Sequence, residues 1–187
     1  VAGQVRGIRF HKGSANSGTH IGSLWSSSGQ RLAQVTFSAE SASGWQSALF
    51  STPVTIQAGT TYVVSYYAPQ GGYSVTSAFF GSSDVVRGPL RALAATTPGR
   101  NGVYRYGAGG GFPSSSWNNT NYWVDVMFDQ APDLAPPALE NRAPAPDLQG
   151  AHAGYAVTAV FDKDIVASSL SYTLKTAAGA NVAGAAS

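Results

Sequence analysis

The stretch from Phe10 to Phe37 reads FHKGSANSGTHIGSLWSSSGQRLAQVTF, and it sets the pattern of the chain as far as Phe128. Short runs with apolar side chains on alternate positions are joined by loops of Gly, Ser, Asn and Thr. A period of two is the mark of a strand with one buried face. No run is long enough, or periodic enough at 3.6 residues, to make a convincing helix; the nearest, LRALA at 90–94, is too short. A chain built this way folds as β-structure.

Strands are expected at Val5 to His11, with Ile8 and Phe10 facing the core, and at Ile21 to Trp25 and Leu32 to Phe37, joined by a turn at Ser26-Ser27-Ser28-Gly29. Trp45 to Phe50 follows and is broken by Pro53; Val54 and Ile56 lead into YVVSYY at 62–67, the strongest β signal in the chain. Tyr73 to Phe80 alternates and is expected to form a hairpin with it across Ala68-Pro69-Gln70-Gly71-Gly72. Asp84 to Ala95 reads as a loop with a short β or 3₁₀ element. Pro98 to Asn101 is a turn before a short strand at Val103 to Tyr106. Gly107 to Asn121 is a long polar loop, and Tyr122 to Phe128 is the last strand, with Tyr122, Val124, Val126 and Phe128 on one face. These features predict an all-β module over residues 1–128, an antiparallel β-sandwich of jelly-roll or immunoglobulin-like type. Residues 129–149, with Pro132, Pro136, Pro137, Pro144 and Pro146, read as a semi-extended linker. Residues 150–187 offer two further strands, Tyr155 to Phe161 and Leu170 to Thr176, too few to bury a core of their own.

Composition narrows the function. Only 11% of residues are charged, against about 25% in a typical soluble domain, and the net charge is +2 with the basic residues scattered. No stripe of cations tracks a phosphate backbone, so nucleic acid is not an expected partner. The absence of Cys removes disulfides, thiolate metal sites and cysteine nucleophiles. No apolar run has the length of a membrane span. The chain opens mid-pattern at VAGQVRGIRF, which is expected of a processed chain or a piece of a longer one.

Catalytic signatures are missing. There is no G-x-S-x-G elbow, and the carboxylates before residue 130 (Glu40, Asp84, Asp125 and Asp129) show no spacing that marks a hydrolase pair. The reading is therefore non-catalytic. His11 and His20 flank the first loop without the spacing of a metal pair, and the nearest acids, Glu40 and Asp84, are remote in sequence; they are expected to hold loop structure. His152 is expected to lie exposed in the linker. No cofactor is required. The candidate ion is a structural calcium on Asp84 and Asp125, with the Asn118-Asn119 loop adding oxygens.

Aromatics carry the binding hypothesis. A sugar ring has an apolar face edged by hydroxyls, which suits a flat Trp or Tyr beside an amide. The candidates are Trp117, Tyr104, Tyr106, Tyr73 and Tyr122, with Asn118, Asn119 and Asn121 as hydrogen-bonding partners. Trp117 is the most suggestive because it sits in a polar loop. Trp25, Trp45 and Trp123 are assigned to the core or a sheet edge.

Several rare pieces then recur in order: RFHKGSANSGTHIGSLWSSSGQRLAQVTF, GWQSALFSTPVTIQAGTTYVVSYYAPQGGYSV, GPLRALA, NGVYRYG and NNTNYWVDVMF. Together, over residues 1 to 128, they resemble the bacterial domain of unknown function 4082. The resemblance implies an accessory module of a secreted or cell-surface multidomain protein, with neighbouring immunoglobulin-like domains and carbohydrate-linked modules; a polysaccharide or cell-wall glycan as partner is the expectation from the aromatics. It carries no catalytic residues over. The tail from Pro146, with Val160-Phe161-Asp162-Lys163-Asp164, resembles the first half of a bacterial immunoglobulin-like domain. The expected function is non-catalytic binding of carbohydrate or cell-surface polymer, and the competing one is a structural spacer or assembly domain.

Overall fold

A computed structural model describes residues 1–81, 83–96, 101–132, 135–145, 154, 156–166, 170–176 and 178–183. The architecture is all-β, with several small antiparallel sheets. The chain divides into two compact units, Val1–Pro132 and Asp133–Ser187.

In the first unit, β1 (Gly3–Lys12) is the middle strand of a three-stranded sheet, between β4 (Gly44–Ile56) and β10 (Val124–Gln130). A second three-stranded sheet centres on β2 (Ile21–Ser26), between β3 (Arg31–Thr36) and β5 (Tyr62–Tyr67). Side chains from both sheets meet in one apolar cluster: Val5, Ile8 and Phe10 from β1, Leu24 from β2, Phe50 and Ile56 from β4, with Phe37 just past β3. Phe10 is its hub. Its ring stacks on Tyr66 of β5 at 4.3 Å and meets Phe37 edge-on at 4.8 Å. Full burial of each such side chain is worth about 1.5–3 kcal/mol.

A β-bulge sets which residues of β1 reach that cluster. Val5 lies opposite Phe128 and Gly7 opposite Met127, so Arg6 is the extra residue. Strict alternation puts Val5 on the face away from Ile8 and Phe10; the bulge resets the alternation and turns all three inward. Gly7 is required there, because a Cβ would run into the Ala48 carbonyl of β4. On the β4 side the same irregularity leaves residues 50–53 without partners on β1. Pro53 sits in that gap, where no ladder N–H is needed. The expected break at Pro53 is therefore an interruption of pairing, and the strand itself runs through it.

The hairpin between β2 and β3 closes as expected, with Gly29 at φ 89°. The hairpin expected between YVVSYY and residues 73–80 does not form. Gly71 and Gly72 both take positive φ and turn the chain aside, and a Cβ at Gly72 would run into the Ala15 carbonyl. Residues 76–80 instead pair loosely with residues 118–121: Thr76 bridges Asn121, Ala78 N–H donates to the Asn118 carbonyl (2.8 Å), and Phe80 N–H donates to that of Asn119 (3.0 Å). Residues 84–95 hold a small hairpin, β6 (Val85–Arg87) with β7 (Leu90–Ala92). In the long loop, β9 (Ser115–Ser116) pairs with β8 (Val103–Tyr104). The turn expected at Pro98 to Asn101 falls largely outside the described residues.

In the second unit, β11 (Leu139–Ala143) pairs with β12 (Thr158–Phe161), and β13 (Leu174–Lys175) with β14 (Asn181–Val182). β11 lies inside the stretch that reads as linker. Pro146 and His152 lie outside the described residues. Among the described residues, every buried apolar side chain belongs to the first unit.

Candidate functional site

Four tyrosines from separate parts of the sequence come together on the first unit. Tyr104 closes β8, Tyr106 follows it, Tyr122 precedes β10, and Tyr73 follows the Gly71-Gly72 turn. Tyr104 lies 5.3 Å from Tyr106 and 6.2 Å from Tyr122, ring centre to ring centre, and Tyr122 lies 5.7 Å from Tyr73. The rings meet at 61–68°, edge towards face rather than as a coplanar row. Tyr106 is 78% exposed. The Tyr73 phenol is pushed above its usual range by its hydrogen bond with Tyr106, by burial and by the phenols around it. Tyr122 is raised by burial first and by Tyr104 and Tyr106 next. Tyr73 and Tyr122 therefore resist becoming phenolates.

Trp117 stands in solvent, 70% exposed, and its ring stacks on no other aromatic among the described residues. It opens a tight turn in which Asn118 and Asn119 adopt φ 45° and 48°, a region Asn tolerates better than other side chains. Their carbonyls hold residues 78–80. No hydrogen bond within the described residues engages their side-chain amides. Asn121 is different: its Oδ1 accepts the Trp123 N–H at 2.8 Å, so this amide shapes the backbone.

A second aromatic group was not expected. Trp25 does go inward, with its indole N–H donated to Ser65 Oγ (2.8 Å) and its ring against Phe112. Trp45 does not. β4 turns Gln46, Ala48 and Phe50 towards the interior, leaving Trp45, Ser47 and Leu49 on the outer face. The polar end of buried Gln46 is met by Ser41 Oγ and the Gly44 carbonyl. Trp45 is 44% exposed. Its ring meets Trp123 at 6.5 Å and 82°, and the Arg9 guanidinium lies over it at 4.7 Å. Trp123 has φ 51°, costly for a bulky side chain, and donates its indole N–H to Thr76 Oγ1 (3.0 Å). Alternation alone does not say which face of β4 is buried, and Trp45 with Leu49 is the more hydrophobic choice by composition.

The histidines have partners that sequence distance conceals. His20 is fully buried. Its Nδ1 lies 2.8 Å from Glu40 Oε2 and its Nε2 2.8 Å from Asn16 Oδ1, while Lys12 Nζ donates to Glu40 at 2.8 Å. Glu40 is therefore a direct partner of His20, contrary to the expectation that no acid is near. Burial pushes the Glu40 carboxyl up, but the hydrogen bonds and charges of Lys12 and His20 outweigh it and hold the group below its usual range. His11 shares a hydrogen bond with Ser74 Oγ (3.2 Å) and stands edge-on to Trp45.

The expected metal ligands carry protein partners. Asp84 accepts the Ala94 N–H and pairs with Arg91 at 3.2 Å. Asp125 pairs with Arg9 at 2.9 Å. Among the described residues no group of three or more His, Asp or Glu is placed to hold a metal ion, and no helix is long and apolar enough to cross a membrane.

Residues 1–124 match the family model described as a domain of unknown function, DUF4082. No curated protein and no solved structure matches the chain. The ordered strand and loop pieces from Arg9 to Tyr122 are thus the pieces of a known family, and the chain belongs to DUF4082.

Proposed function

We propose that the first unit is a non-catalytic accessory module of a secreted or cell-surface bacterial multidomain protein, and that it binds carbohydrate through the tyrosine group and the Trp117 loop. The observation that carries this reading is the convergence of Tyr73, Tyr104, Tyr106 and Tyr122 at an exposed place. Aromatic faces take the apolar side of a pyranose, and phenols and amides take its hydroxyls. The free Asn118 and Asn119 amides beside exposed Trp117 supply such groups. Low charge and hydroxyl-rich loops support a place outside the cell. The two sheets that share one core support a sandwich of jelly-roll or immunoglobulin-like type, and the tail from Pro146 fits a further immunoglobulin-like neighbour. The reading needs no cofactor; a structural calcium at Asp125 or Asp84 would have to compete with Arg9 or Arg91.

The test is a glycan array and polysaccharide pull-down with the wild-type chain, Trp117→Ala and Tyr106→Ala. Both side chains are exposed, so the variants should fold normally. Binding by the wild type and a loss of about tenfold in each variant is expected, from aromatic contacts worth about 1 kcal/mol or more. A chain that binds no glycan is a spacer or assembly block instead.

A further inference from the structure

We propose a second saccharide-binding surface on the outer face of the sheet formed by β4, β1 and β10, with Trp45 as its platform and the Arg9–Asp125 pair as its polar edge. It shares a ligand class with the proposed function but stands on different residues.

Trp45 remains 44% exposed although Arg9 lies against its ring. Among the described residues, no protein group accepts from its indole N–H, whereas the indole N–H groups of Trp25 and Trp123 are both taken. An open aromatic surface with an unused donor at its edge suits a ring that has C–H groups on one side and oxygens around its rim. Arg9 donates both Nε and Nη2 to Asp125 Oδ2, at 3.2 and 2.9 Å. That leaves Nη1 as a donor and Oδ1 as an acceptor, fixed relative to each other by the ion pair. A vicinal diol can use one of each.

Charge selects among ligands. Along this face Arg9 is cancelled by Asp125 and Arg6 by Asp129. Neither an acidic nor a basic polymer gains from a face neutralised in pairs, whereas a neutral polyol does. The bridged side chains also cost little further ordering on binding. Trp123 completes the corner: its backbone is held at φ 51°, and its ring contacts both Trp45 and Phe79. Strain of that kind is retained where the surroundings enforce one side-chain position.

The experiment follows the indole N–H signals in two-dimensional NMR, with the Trp45 signal assigned from Trp45→Phe. The probes are hexasaccharides of β-linked glucose, N-acetylglucosamine and galactose. Saturable movement of the Trp45 signal with at least one probe is expected, unaffected by Tyr106→Ala. In Trp45→Ala, the affinity read from the Trp123 signal should fall about tenfold; Trp45→Phe should retain most of it. Movement of Trp117 with Trp45 unmoved by every probe overturns this surface and leaves the tyrosine reading standing. No movement of any indole overturns both. Movement of Trp45 on dilution without sugar marks a contact between two copies of the chain and also overturns the proposal.

Discussion

Glu40 shows how one carboxylate can decide the state of a whole loop. It receives Lys12 and His20 at once, with its own side chain nearly enclosed. Because its folded pKa lies below the ordinary value of 4.5, its contribution to stability is complete well above that pH and is lost as pH falls through the depressed value. Acid titration followed by circular dichroism should therefore show the wild type losing stability below about pH 4.5 more steeply than Glu40→Gln. At neutral pH, Glu40→Gln should cost about 3 kcal/mol in urea denaturation, since it strands a buried cation. Asn16 adds a second test. Its Nδ2 and the Tyr66 hydroxyl are both buried without partners. Half a turn of the Asn16 amide gives Nδ2–H to His20 Nε2 and turns Oδ1 to Tyr66, satisfying both groups. These hydrogen bonds call for the His20 tautomer with its proton on Nδ1, donated to Glu40; long-range ¹⁵N NMR of the imidazole reads this directly, and the Nε2-protonated tautomer would contradict it.

At the level of elements, the bulge at Arg6 carries the most consequence. It brings Val5 into line with Ile8 and Phe10 and forces the β1 backbone against β4 at Gly7. Gly7→Ala should lower stability by roughly 1–3 kcal/mol in thermal or urea unfolding; an unchanged midpoint would mean that β4 yields freely. Most strands were legible in the sequence because alternation and turn residues are local signals: YVVSYY, the Gly29 turn and the Val124, Val126 and Phe128 face came out as read, whereas Tyr122, read onto that same face, precedes the strand and joins the tyrosines. The failures share a cause. The fate of residues 73–80 depends on a partner at 118–121, and the facing of Trp45 depends on which side of β4 meets β3 and the apolar cluster. The Glu40 partnership likewise spans 20 residues of sequence. Of the candidate site, the convergence of the tyrosines could not be read, although each was singled out by its setting. Trp45, read as serving the core or a sheet edge, stands on the edge strand β4 with its ring outward.

For the whole molecule, the described side chains place the apolar core in the first unit, while the family match ends at residue 124, at the first residue of β10. The central strand of the first sheet thus depends on the two ends of its unit. β1 draws one neighbour from the middle of the chain and the other from β10, and the Arg9–Asp125 pair joins residues 116 positions apart. During synthesis, β1 leaves the ribosome well before β10 and must wait for it with one edge bare. Such long-range closure slows folding and exposes a sticky edge to neighbouring chains. Fusion or domain-boundary designs should therefore keep the chain through Gln130, because a cut at the end of the family match removes the strand that closes the sheet.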